Sequence, residues 1–386
     1  MNISKLFSKY ALGTILILSL STTIAQEQAT PSTEVLLSEL NALKDRLDTI
    51  ESENKRELYT PQLYGAMMAY FNLNTDTGDQ RFAVRYAQLG VKGQASQNMS
   101  YVIHINFHNL AKVTVLDSYM RYTDNKKRFD LTLGQQWIHL TSDFDRCGAK
   151  PNLLTSRSYG VVFITDYSTG SGVSELSNRD IGLYGNYTFK GEIPITLSLG
   201  LFNGEGKNVI VWDNDINVTG RVQFGSSKGL AGGASVYTGT TPLDQDITIW
   251  SGELRYVANK FFIETNYQQR HLESDDSSSP RIAQTGLIQG YYKISNPDGR
   301  VFDSYVPTIR YDFGDNIDYY NTLSQEVEQQ NAGRISAFMH FMLKGAKIKS
   351  RFSIGYEKVL MSNRPSDIET NSLLQDRFTV ATTVAF

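Results

Sequence analysis

The residues of this chain best suited to chemistry are arginines that recur on polar alternating faces: Arg121, Arg221, Arg255, Arg310, Arg334 and Arg351. A guanidinium is always charged, and its fork matches carboxylate and phosphate oxygens, so such a set suits anion recognition. Arg146, Lys150 and Arg157 add three cations within one long aperiodic segment, 141–178. Arg179 falls on the parity of the neighbouring apolar face and is expected at a strand end. Each arginine also has an ordinary alternative, a salt bridge to an acid such as Asp117, Glu253 or Asp312. Exposed pairs of that kind contribute only about 0–1 kcal/mol each. A conducting site must attract without trapping, so several moderate cations suit it better than one tight cage.

Other chemistries find less support. His104 and His108 share a face, but four residues apart on a strand they lie about 13 Å apart, too far to share a metal ion. Ser100 beside His104 has no evident acid partner, which argues against a hydrolase. Cys147 is the single cysteine, so no intrachain disulfide forms. No glycine-rich phosphate loop is present, and no cofactor is expected. With 37 Lys+Arg against 40 Asp+Glu the charge is nearly balanced, which argues against a nucleic-acid binder.

The elements that must position these side chains come in three parts. Residues 1–25 read as a secretory signal peptide: Lys5 and Lys9, a short apolar core at 11–20, then Thr-Ile-Ala as a cleavage site. Residues 26–58 read as a periplasmic linker and a helix. There Leu36, Leu40, Leu43, Leu47 and Ile50 step by four and three, the spacing of a coiled-coil seam. An amphipathic helix lying on its own domain fits the same pattern. From 59 to 386 period two dominates, as in Met99, Tyr101, Ile103, Ile105 and Phe107, or Ile195, Leu197, Leu199 and Leu201.

The last ten residues, R-F-T-V-A-T-T-V-A-F, place Phe378, Val380, Thr382, Val384 and Phe386 on one face. In a membrane barrel that face meets lipid and its last ring joins an aromatic girdle. Sixteen segments of this kind are found, many of them about ten residues long. Sandwich strands run to five or six. Their apolar faces often end on Tyr or Phe, and their polar faces carry Arg, Lys, Glu and Gln. The predicted fold is all-β: a transmembrane antiparallel barrel of about 16 strands, preceded by a short coiled-coil helix. That strand number leaves room for an aqueous channel. Ile103, Leu199, Met339 and Ile354 are expected to face lipid. Segments 141–178, 274–283 and 316–331 read as long polar loops.

The run R-F-A-V-R-Y-A-Q-L-G-V-K-G at 81–93 is followed in order by L-D-S-Y-M-R-Y at 116–122, L-G-Q at 133–135, R-D-I-G at 179–182 and L-F-N-G-E-G at 201–206. Together with the terminal Phe386, this series resembles the phosphate-selective porin O/P family over about 60–386. Where that family often carries Pro-Phe after L-G-Q, this chain has Q-W-I-H-L-T. The resemblance implies a sixteen-stranded homotrimeric porin of the bacterial outer membrane. Its third loop folds into the lumen, and it passes anions, in some members phosphate, past basic side chains.

The expected function is passive diffusion of small hydrophilic solutes with anions favoured. A channel for a neutral or sugar solute is the alternative, with a barrel enzyme or adhesin behind it. The expected partners are outer-membrane lipid, two further copies of the chain and the permeating solutes.

Overall fold

A computed structural model describes residues 38, 41–46, 59–107, 113–146, 153–164, 178–210, 212, 215–273, 280–321, 326–345, 350–361 and 374–386. The chain divides into two units, Met1–Leu58 and Tyr59–Phe386. In the first, residues 41–46 are helical and exposed. The predicted leader and every predicted seam residue except Leu43 lie outside the described residues.

The second unit is a closed antiparallel barrel. Its strands are β1 (Gln62–Asn74), β2 (Gln80–Gln94), β3 (Met99–Asn106), β4 (Thr114–Thr123), β5 (Phe129–Trp137), β6 (Arg179–Phe189), β7 (Ile195–Phe202) and β8 (Asn217–Gly225). They continue with β9 (Gly229–Thr240), β10 (Asp246–Val257), β11 (Phe261–Glu273), β12 (Arg281–Tyr292), β13 (Phe302–Asn321), β14 (Glu326–Leu343), β15 (Arg351–Leu360) and β16 (Arg377–Ala385). The two-residue piece Ile294–Ser295 prolongs β12 against the same neighbour, so sixteen staves form the wall. Each strand pairs with the next, and β1 pairs with both β2 and β16, which closes the sheet. Closure removes the unpaired edges that hydrocarbon would penalise.

Alternation decides what each face meets. In β16, Arg377, Thr379, Ala381 and Thr383 are buried inward while Val384 and Phe386 are exposed on the outer wall. Ile103, Leu199 and Met339 are likewise exposed outward, at 47%, 59% and 37%. Ile354 pairs directly with Met339 and Val380 and shares their face. The connections at one end are short, such as 226–228 and 258–260; at the other lie 138–178, 203–216 and 361–376. Short turns face the periplasm and long loops the exterior in such barrels. Tyr122, Phe129, Tyr187, Phe189, Phe224, Tyr256, Phe261, Tyr292 and Phe386 stand exposed near the turn end, as an aromatic girdle does. The backbones of Phe386 and Gly65 exchange hydrogen bonds at 3.0 and 3.1 Å.

One predicted loop is a strand pair instead. Residues 317–321 and 326–330 are paired strand rather than free loop: β13 and β14 stay paired up to Asn321↔Glu326. The two strands rise past the apolar band, where water lies outside, so the ladder continues after the alternation of apolar residues has stopped. A related inversion occurs on β9 to β12. Near the loop end, Tyr237, Ile247, Ile249, Leu272 and Ala283 point inward and pack with Ile138, Leu140 and Ile164 of the connection after β5. Outward from the same stretch stand polar side chains such as Thr238, Thr248 and His271.

Candidate functional site

The connection after β5 enters the barrel and is bolted to its inner wall. It begins with the short helix Ser142–Asp145, whose N-cap Thr141 hydroxyl accepts from the Phe144 backbone N–H at 3.3 Å. The Leu140 carbonyl accepts from the Ser235 and Ser251 hydroxyls at 2.8 and 3.3 Å. The Ser142 N–H donates to Glu253. Arg221 donates to Asp145 at 2.8 Å and to Glu253 at 2.6 Å, joining the helix to β8 and β10. His139 lies 2.6 Å from Asp145. Burial disfavours a charge on Asp145, but His139 and Arg221 outweigh it and hold this carboxyl below the usual carboxylate range. Arg146 pairs with Glu264 of β11, which also accepts from Gln289, and its guanidinium lies 5.1 Å from the Phe262 ring centre.

Further along, residues 155–159 meet the opposite bank. Arg310 donates to the Ser156 carbonyl at 3.2 Å and to its hydroxyl at 2.9 Å. Arg334 donates to the Arg157 carbonyl at 2.6 Å and lies 4.5 Å from the Tyr159 ring centre. Asp312 receives Arg310 at 2.8 Å, Arg334 at 2.7 Å and the Tyr159 N–H at 3.0 Å. The Ser156 hydroxyl donates to Glu357, which also accepts from Ser336 at 2.9 Å and Arg377 at 2.5 Å. Arg85 donates to the Thr155 carbonyl. Last comes the π-helical turn Gly160–Ile164, where Arg270, paired with Asp318, donates to the Phe163 carbonyl at 3.0 Å. Gly160 packs closely there: a Cβ would stand 2.2 Å from the Gln268 amide nitrogen, so that side-chain end would have to shift.

The predicted residues therefore separate. Arg221, Arg310 and Arg334 are buried and hold the loop, with Glu253 and Asp312 as two of their expected acids. Arg146 is drawn to the wall, and Arg157 serves through its carbonyl. Arg121 is half-exposed, with Thr132 at 2.9 Å and Asp130 at 4.0 Å. Arg179 begins β6, pairs with Asp117 at 2.9 Å and covers the Trp137 ring at 3.7 Å. Arg351 is fully buried at the start of β15. Arg255 is partly exposed. It donates to the Ser142 hydroxyl at 3.4 Å, and among the described residues it makes no ion pair. Lys150 lies outside the described residues, as do His108 and Cys147. Among the described residues no His, Cys, Asp and Glu cluster could hold a metal ion.

Sequence reading missed Arg85, Glu264, Arg270, Asp318, Glu357 and Arg377 as members of the site. Parity alone put several of them on the inner face; which strands the loop crosses is set by the barrel's curvature and has no local signal.

Residues 63–193 match the sequence profile of the family described as phosphate-selective porin O and P. No curated protein matches the chain. Among solved structures it is similar to an anion-selective porin from Comamonas acidovorans, with 11% identity, TM-score 0.59, and 85% of this chain and 99% of that one covered. Salmonella typhi OmpF in complex with daunomycin gives 13%, 0.58, 86% and 99%. The trimer form of Vibrio cholerae OmpT gives 13%, 0.55, 85% and 99%.

Proposed function

We propose that this chain is an outer-membrane porin with an anion-favouring conduction role: residues 63–193 match the profile of the phosphate-selective O and P family, and the barrel has the porin fold. Small hydrophilic solutes cross it passively, with no catalytic step. The inward loop narrows the lumen, and its seat consumes most of the guanidinium charge as ion pairs. The observation that carries the anion preference is what remains: Arg255 at the loop's edge, which makes no ion pair among the described residues, and half-exposed Arg121, whose only ion pair there is the long one to Asp130 at 4.0 Å. A buried, paired arginine offers a passing ion little field, whereas an unpaired one in a narrow aqueous passage attracts anions at a distance. The paired majority favours a second reading, a nearly neutral filter for uncharged solutes. Phosphate is a candidate anion on the family description; chloride would meet the same charges. Trimeric assembly is part of the proposal, supported by the seam at 36–50 and by the trimeric form of OmpT.

Reversal potential across a KCl gradient in planar bilayers tests this. The wild type should favour chloride, and Arg255→Glu should shift the preference toward potassium. The shift should shrink as salt rises, since the Debye length falls from about 10 Å at 0.1 M to about 3 Å at 1 M. A wild type with no preference, or with a cation preference, would select the neutral reading.

A further inference from the structure

On the periplasmic side of the loop lies a cleft of about 100 Å³, between Asp143, Arg146, Leu153 and Leu154 and the inner face of β11 to β13. Its lining is mixed. Phe262 and Tyr291 stack with ring centres 4.9 Å apart and planes 12° from parallel. Leu153 and Leu154 lie with them in the same lining. Arg146, Glu264, Asp143 and Gln289 supply the polar part. The acids there are already engaged. Glu264 takes Arg146 and Gln289, and Asp143 takes the Ser158 hydroxyl at 2.5 Å and Gln289 at 3.3 Å. Directly across the β10–β11 ladder from Glu264 stands Arg255, which makes no ion pair among the described residues. Side chains so opposed lie about 5 Å apart at Cβ, within reach of the cleft mouth.

We infer that this cleft is a pore subsite for small monocarboxylates with a flat apolar body. It rests on the anion-favouring reading. The carboxylate meets Arg255 and the outer edge of Arg146, and the body lies against the Phe262–Tyr291 stack and the two leucines. Inorganic phosphate gains nothing from the rings, and its second charge meets Glu264 and Asp143 at close range. A neutral ring compound gains nothing from the guanidinium groups. Only a solute with both parts uses the whole lining. Such a solute pauses on the periplasmic side of the narrowest point, which raises its local concentration there without a tight cage.

Single-channel recording of the full-length protein in KCl, with benzoate, inorganic phosphate or benzyl alcohol added, tests the subsite. Benzoate should interrupt the current at concentrations about tenfold below those needed for phosphate or benzyl alcohol. Phe262→Ala and Tyr291→Leu should each raise the blocking concentration of benzoate, and Leu199→Ala on the outer wall should not. Benzoate that blocks no better than phosphate, or that blocks both ring variants as well as the wild type, overturns the subsite. Two ring variants guard against one failing to fold. The KCl reversal potential separates the claims. Chloride preference without selective benzoate block removes only the subsite, and cation preference removes the anion reading beneath it.

Discussion

Asp312 shows what a single inward carboxylate does in this lumen. It is fully buried and neutralises two arginines while capping the Tyr159 N–H. Removing one partner of a buried charge cluster leaves the others uncompensated, at a cost of about 3–5 kcal/mol. Asp312→Ala should lower barrel stability on that scale in urea titrations of the reconstituted protein. Arg121→Ala breaks only an exposed contact and should cost about 0–1 kcal/mol. Equal losses would mean that the Asp312 cluster is hydrated and weak. Asp145 adds a pH dependence. Its folded value lies below its unfolded one, so its contribution is complete above the ordinary carboxylate range near pH 4 and is lost as pH falls through the depressed range. Open-channel current noise, read as loop movement, should therefore rise in strong acid, and Asp145→Asn should show it at neutral pH. A quiet Asp145→Asn channel at neutral pH would remove Asp145 from the loop's anchorage.

At the scale of elements, the outer wall distinguishes two glycines of the same parity class. A Cβ on Gly65 would stand 2.5 Å from the Phe386 ring and 2.6 Å from the Gln88 carbonyl; on Gly252 it meets nothing within 4 Å. Gly65→Val should reduce the yield of folded barrel by disturbing the β1–β16 seam, while Gly252→Val should fold normally. Similar yields would mean that the Phe386 ring moves aside freely. The strands were legible because lipid outside and water inside impose one alternation along each stave. That rule placed all sixteen, from β1 to β16. It lapsed where the solvent changed. Above the bilayer β13 and β14 continue as polar strands, and on β10 Ile247 and Ile249 turn inward to seat the loop. The candidate site was legible in its charges but not in its pairings. Arg310 and Asp312 share a face two residues apart, which sequence shows. That both grip residues 156–159 depends on a fold-back spanning more than 150 positions, as in the Tyr159–Asp312 bond with its separation of 153.

For the whole molecule, Tyr59–Phe386 forms a unit by itself, and the strand periodicity begins after residue 58. Deleting residues 26–57 should leave a folded barrel with wild-type single-channel conductance but a weaker trimer, compared by native mass spectrometry. Equal trimer content in both forms would assign assembly to the barrel wall alone, and monomers of the intact chain would remove the trimer. The closing seam has a consequence for how the molecule is made. Thr379 donates to Asn72 across a separation of 307 residues. Every other ladder joins strands adjacent in the chain, so the sheet can grow stave by stave, and only its two outermost strands must find each other across nearly the whole sequence. Loop closure of that length is slow. Until it happens, β1 and β16 each present an open row of amide and carbonyl groups that hydrocarbon cannot satisfy and that another chain's strand can. The hazardous moment in this protein's life is the interval before its first and last strands meet, and any escort during biogenesis has those two edges to shield.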